Sequence, residues 1–237
     1  MVRKVTQIIE DQFRSWRHHN SRNPSGKPKN KSYPVITISR EFGARGAALA
    51  EIMGGQIGFK VWDKQLLQAI AKELDSKEEQ IETVDERRRK PVEDAMMGFM
   101  KRKHTNVNYL LSLIRVVNTI EDFGNSIIVG RGASYICQDA SSFHIRVVCP
   151  LKMRISGYAR RENISKEEAH RIIDEKDSER ADFVLHSFNK DVNNAADYDL
   201  ILNSGTFDLE DLADIAVNAY EITIGRPVTG KITHGPD

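Results

Sequence analysis

Tyr33-Pro34-Val35-Ile36-Thr37-Ile38-Ser39-Arg40-Glu41-Phe42-Gly43-Ala44-Arg45-Gly46-Ala47-Ala48-Leu49-Ala50 is the stretch from which the fold can be read. Its β-branched, apolar first half predicts a buried strand over 33–39. Leu49, Ala50, Ile52 and Met53 then recur at helical spacing. A strand, a small-residue turn and a helix in succession can build an anion site, because the open N–H groups of the first helical turn and the helix dipole both face the turn. Gly43 and Gly46 admit two readings here. They leave room for a phosphate against the backbone, or they allow close packing in an ordinary βα turn.

Two phosphate-binding motifs can be laid on this turn. A dinucleotide fingerprint needs G-x-G-x-x-G, and no such triplet is present. A P-loop needs G-x-x-x-x-G-K-[ST]. With Gly46 as its last glycine, Glu41 stands at the first, Ala47 at the lysine and Ala48 at the hydroxyl residue.

Further along, strands and helices alternate, which predicts an α/β fold with a mainly parallel sheet. Residues 57–62 read as a strand closed by Asp63, which suits either the N-cap of a helix carrying Leu66, Leu67, Ile70 and Leu74 or a ligand-binding strand end. Ser76-Lys77-Glu78-Glu79 is a capping box, and Glu86-Arg87-Arg88-Arg89-Lys90-Pro91 gathers four cations. Leu110, Leu113, Ile114, Val117 and Ile120 form a helical stripe over 109–120. Ile127-Ile128-Val129 is a strand followed by Gly130-Arg131-Gly132; an arginine between glycines at a strand end is suited to fork onto a phosphate. Strands are expected at 143–149 and 199–203. Helices are expected at 151–161 (bearing Arg154, Arg160 and Arg161), after the capping box Ser165-x-x-Glu168, and at 209–219. In the helix after Ser165, Asp177 and Arg180 stand three apart on one face. Asn203-Ser204-Gly205 reads as a turn or as an approach to an adenine.

Composition excludes several classes. Of 237 residues, 35 are Lys or Arg and 34 Asp or Glu, a net charge of +1 that argues against a general nucleic-acid binder. No apolar run reaches the roughly 18–20 residues needed to span a bilayer, and the start lacks the apolar stretch of a signal peptide. Cys137 and Cys149 have no metal or redox spacing, and the histidines form no HExxH pattern. A cytoplasmic location is the expectation by elimination. Val5, Ile8, Ile9, Phe13 and Trp16 predict an amphipathic helix over 2–18. From Gln12 to Arg40 the only charges are positive. With the Pro/Gly-containing linker, residues 1–33 read as a basic arm that docks a protein partner or a second copy, or as a solvated tether.

Ile38-Ser39-Arg40-Glu41-Phe42-Gly43 resembles the opening of the cytidylate kinase-like family. Matches follow in the family's order: Trp62-Asp63-Lys64, Ile127 to Ala133, Ile164 to Ala169, Asp177-Ser178-Glu179-Arg180-Ala181 and Tyr198 to Ser204. The resemblance covers roughly 35–222. It implies a P-loop kinase-like three-layer sandwich over 34–225, with a helical substrate-binding insertion (75–125), a lid (151–195) and a flexible tail (226–237). It implies ATP and Mg2+ as cofactors, with Arg40, Gly43, Ala44, Arg45, Gly46 and Ala47 holding the donor. Asp63, Arg131, Asp177 and Arg180 would hold a small phosphorylated acceptor, and Arg45, Arg160, Arg161 and Arg180 would act on the transferred group. Asp63 would also serve the metal, and Asp177 a substrate ribose. The family often carries arginine where ordinary P-loops have lysine; here that position is Ala47, with Arg45 two residues earlier. Cytidylate kinases follow the acceptor arginine with aspartate, where this chain has Gly132, and carry a further arginine where it has Ile173. The expected activity is phosphoryl transfer from ATP to a nucleoside monophosphate such as CMP, with a catalytically weak or inactive nucleotide sensor as the alternative.

Overall fold

A computed structural model describes residues 33–63 and 107–228 of the chain. The expected helices over 2–18 and after Asp63, the linker up to residue 32, the Ser76 capping box, the cationic run 86–91, most of the 75–125 insertion and residues 229–237 lie outside the described residues.

Five strands, β1 (Ile36–Arg40), β2 (Lys60–Trp62), β3 (Ser126–Val129), β4 (Phe143–Val148) and β5 (Leu200–Asn203), form one sheet in the order β2-β3-β1-β4-β5. Every neighbouring pair is parallel. Parallel neighbours need crossover connections, and helices supply them: α1 (Gly46–Ile57), α2 (Val107–Phe123), α3 (Ala133–Ile136), α4 (Leu151–Glu162), α5 (Lys166–Phe188) and α6 (Leu209–Ile224). The mainly parallel α/β reading of the sequence therefore holds. The single turn α3 and a short 3-10 turn at Ala195–Asp197 are additions that sequence periodicity did not suggest.

Strand alternation feeds two apolar layers. Ile36, Ile38, Ile127, Val129, Phe143, Ile145 and Val147 pack with α1 and α6 on one side. Val35 and Ile128 pack with α2 and α3 on the other. Helix ends follow local chemistry: Ser165 and Asp208 cap α5 and α6 by accepting from the N–H of Glu168 and Asp211, and Gly225 closes α6 in a left-handed conformation. β4 breaks the apolar pattern. Its second face carries His144 and Arg146, which meet Thr37, Asn193 and Tyr198 instead of an apolar helix.

Residues 226–228, which the sequence reading assigns to the tail, pack against the core. The Arg226 guanidinium stacks over Tyr33 at 4.5 Å, the Tyr33 hydroxyl donates to the Pro227 carbonyl (3.2 Å), and the Val228 N–H donates to Glu221. Val228 is 3% exposed, so the chain remains part of the core through that residue.

Candidate functional site

The turn after β1 is braced from the side by α4 and α5. Arg154, 8% exposed, donates from Nε to the Cys149 carbonyl and from Nη1 to the Phe42 carbonyl, both at 3.0 Å, and also pairs with Asp177. Asp177 accepts from the Phe42 N–H at 2.6 Å, and Glu41 accepts from the Cys149 N–H at 2.9 Å. Asp177 is thus bonded to the turn and lies outside the residues lining the cleft described below, so the expected ribose contact is corrected to a brace.

The two glycines of the turn have an explanation other than phosphate room. Gly43 has φ +84°, and a Cβ there would lie 3.3 Å from Arg154 Cβ. A Cβ on Gly46 would lie 2.8 Å from Arg40 Cβ. Arginine stems cross both positions, so close packing alone accounts for a glycine at each. Arg45 follows in a left-handed conformation (φ 63°) at the N-cap of α1, with its side chain exposed and making no cap bond. The first-turn N–H groups of α1 have no acceptor within the helix and remain suited to an anion. The exposed Ala47 brings no cation to them.

Beside this turn, a cleft of about 310 Å³ opens over the C-terminal ends of β1 and β3 and continues down between the sheet and α5. Ligands of open α/β sheets bind at such strand ends. Four guanidinium groups line it: Arg40, Arg131, Arg146 and Arg180. Arg40 lies across the strand ends so closely that a Cβ on Gly130 would fall 1.9 Å from its Nη1. Burial, then the charges of Arg180 and Arg131, draw its pKa down to about 10, with Asp63 opposing, so it stays cationic at neutral pH. Arg180 donates from Nη1 to the Arg40 carbonyl (2.9 Å) and lies over the Phe42 ring. Burial lowers its pKa as well, against the pull of Asp177.

Arg131 occupies a run of three left-handed residues, with φ of 81°, 57° and 67° at Gly130, Arg131 and Gly132. A non-glycine residue in that region is uncommon and marks a constrained site. Its guanidinium lies 5.7 Å from the Phe183 ring, and its buried Nε has no hydrogen-bond partner. Burial lowers its pKa. Arg146, 6% exposed, donates to Ser39 Oγ (2.9 Å) and Asn193 Oδ1 (3.1 Å), both neutral. Asp63 opposes the lowering of the Arg40 pKa, and Asp177 and Glu179, the latter on the cleft wall, oppose that of Arg180.

The structure therefore brings Arg40, Arg131 and Arg180 together, as the sequence suggested. Arg160 and Arg161 are not brought in: both are exposed near the far end of α4, outside the cleft lining, and Arg161 pairs with Glu162 at 2.8 Å. Their distance follows from position along α4: Arg154 meets the turn from the first helical turn, and Arg160 and Arg161 lie nearly two turns, roughly 10 Å, further along the axis. Asp63 is exposed at the end of β2, within electrostatic range of Arg40. Among the described residues no three His, Cys, Asp or Glu side chains cluster as metal ligands. Two site residues were not singled out by sequence. Arg146 carried a signal, a charged residue at period two inside an apolar strand. Arg154 carried none, because its partners Glu41, Phe42 and Asp177 are distant in the chain.

Comparison with known proteins agrees with this architecture. The cytidylate kinase of Pyrococcus horikoshii is 32% identical over 98 residues, 41% of this chain and 50% of its own length. The chain thus matches about half of that relative. The cytidylate kinase of Thermococcus sibiricus is 26% identical over 171 residues, 72% of this chain and 79% of its own. An uncharacterized protein from Eubacterium ventriosum shares the fold, with a TM-score of 0.62 at 17% identity over 79% of this chain and 98% of that one. Among the described residues no helix is long and apolar enough to cross a membrane. The model of the cytidylate kinase-like family matches residues 35–206, most of the described fold and all four cleft arginines, and the chain belongs to that family.

Proposed function

We propose that the protein is a nucleotide-dependent phosphotransferase that moves a phosphoryl group from ATP to a small phosphorylated acceptor, most simply a nucleoside monophosphate such as CMP. The observation that carries this reading is the convergence of Arg40, Arg131 and Arg180 at the strand ends beside a helix N-terminus. Phosphoryl transfer needs little covalent chemistry from the protein. It needs both reactants held in line and the charge spread over the moving group stabilised.

In this reading Arg131 and Arg180 fork onto the acceptor phosphate, and the first-turn N–H groups of α1 hold the donor phosphates with Arg45 at their edge. Arg40 and Arg180 face the transferred group, where preorganised donors stabilise charge most effectively. ATP supplies the phosphoryl group, and Mg2+ travels with its phosphates. Asp63, at the end of β2, is the carboxylate offered to the metal in this reading, in keeping with the one or two carboxylates such a site uses.

A second reading, a nucleotide sensor with little or no turnover, draws on specific observations. Ala47 and Ala48 stand where a P-loop has lysine and a hydroxyl, and Asp177 already accepts from the Phe42 N–H. A panel of nucleoside mono- and triphosphates, assayed for thermal shift and for phosphate transfer, separates the two. Binding with transfer supports the kinase, and binding without transfer the sensor. No binding by any member rejects both.

A further inference from the structure

Arg146 is the member of the cleft that monophosphate binding leaves unexplained. It sits on the inner face of β4, next to Ser39 of β1, in the part of the cleft that runs below the strand ends between the sheet and the segment carrying Val192 and Asn193. Its guanidinium has five donors, of which two are used, on the neutral Ser39 Oγ and Asn193 Oδ1. At 6% exposure it is a buried charge with no described counter-ion. A buried cation without an anion destabilises a fold strongly. Nearby, the Tyr198 and Tyr135 hydroxyls bond each other and backbone carbonyls, the Tyr135 hydroxyl is held neutral with its pKa far above the ordinary range, chiefly by burial, and Asp197 beside them pairs with Lys190 at 3.7 Å. A hydrophobic residue would fill this place on a strand more cheaply. Among the described residues the charge at Arg146 has no ion pair, and its place on the cleft wall opens it to an anion that enters the cleft.

We infer that the cleft takes an acceptor with two separate anionic groups, the first on Arg131 and Arg180 and the second, a carboxylate or another phosphate, reaching down to Arg146. This rests on the phosphotransferase reading for the first group only. The second group enters beside Ser39 and meets the unused edge of the Arg146 guanidinium, which suits a two-oxygen fork. Arg146 is then a specificity-determining residue: it selects a dianionic compound over one of the same size with a single anionic group.

The test measures binding without ATP, so that it is independent of turnover. The probes are 3-phosphoglycerate and glycerol 3-phosphate, which share a three-carbon skeleton and a phosphate and differ by a carboxylate. On the full chain, 3-phosphoglycerate should bind about tenfold or more tightly, the strength expected of one charge-assisted contact in a desolvated site. In Arg146→Met the preference should collapse to within about twofold, while glycerol 3-phosphate binds as before. Asn193→Asp guards against a variant that fails to fold. It gives Arg146 a counter-ion within the chain, and should raise the melting temperature of the unliganded protein while removing the preference for the carboxylate probe. Equal affinities in the wild type, no binding of either probe, or a preference that survives both substitutions overturns the inference. If the carboxylate preference is present but the nucleotide panel shows no transfer, the dianion site stands and the kinase reading fails.

Discussion

At Gly130 one hydrogen decides where Arg40 lies. The residue combines φ +81° with the guanidinium of Arg40 against its Cα, so alanine there is strained by its backbone and displaces a cleft cation at once. Gly130→Ala should lower stability by about 1–2 kcal/mol from the left-handed conformation alone, and should weaken acceptor binding more than Gly55→Ala, a helical site with open space. Denaturant titration and acceptor binding on both variants check this. Arg154→Ala removes a buried cation from Asp177 and Glu41 and leaves two carbonyls without their donor. Because both carboxylates keep some contact with water, the loss should fall near the lower end of the usual range for breaking a buried pair, about 3 kcal/mol, read from the same titrations. Arg45 behaves in the opposite way. Its side chain is free while its backbone is left-handed, so Arg45→Gly should leave stability unchanged or raise it by about 0.5 kcal/mol, and should reduce transfer by removing the cation nearest the α1 N-terminus. A full loss of fold in that variant would place the side chain in a structural role.

Residue by residue, the sequence spoke most clearly where local chemistry decides. Gly130-Arg131-Gly132 was readable because glycines around an arginine have a backbone meaning. Gly43 and Gly46 were readable as necessary but not for their reason, since the arginine stems that select them come from β1 and α4. Arg154 read as an ordinary helix residue, and Asp177 as a substrate contact, because the groups they brace lie 23 to more than 100 residues away.

Elements were legible wherever periodicity met punctuation. The β-branched runs became β1, β3 and β4, the capping box at Ser165 opened α5, and Pro150 ended the fourth strand as a helix began. A four-residue helix such as α3 leaves no periodic trace. β4 shows what an element can conceal: it reads as a buried strand, yet one face is polar. His144 on that face accepts from or donates to Thr37 Oγ1 at 2.8 Å, and its pKa is lowered, chiefly by burial, with Asp199 opposing. A histidine whose folded pKa lies below its unfolded value binds fewer protons folded than unfolded, so stability is complete above the unfolded value near 6.5 and declines as pH falls below it. Unfolding free energies measured from pH 7.5 to 5 should show that decline, and His144→Gln should flatten it. An unchanged slope in the variant would assign the acid sensitivity to other groups.

For the whole molecule, the boundaries of the folded unit are testable. Tyr33 is buried and its hydroxyl reaches Pro227, so the two ends of the core meet. Deleting residues 1–32 should leave nucleotide binding intact, measured by thermal shift. Ending the chain after Gly225 removes the Val228 plug and the Arg226–Tyr33 stack, and should cost about 2 kcal/mol, whereas ending it after Val228 should cost little. Comparing the melting temperatures of the two truncations gives the answer.

The Arg154–Asp177 brace has a thermodynamic consequence for ligand capture. The α4–α5 hairpin is already seated on the turn, so little chain remains to be ordered there when a ligand arrives. Ordering a loose segment on binding buries apolar surface and leaves a large negative heat-capacity change. A hairpin fixed beforehand moves that entropy loss into the folding reaction, so on the α4–α5 side the ligand meets a preformed wall that adds little to the heat-capacity change of binding.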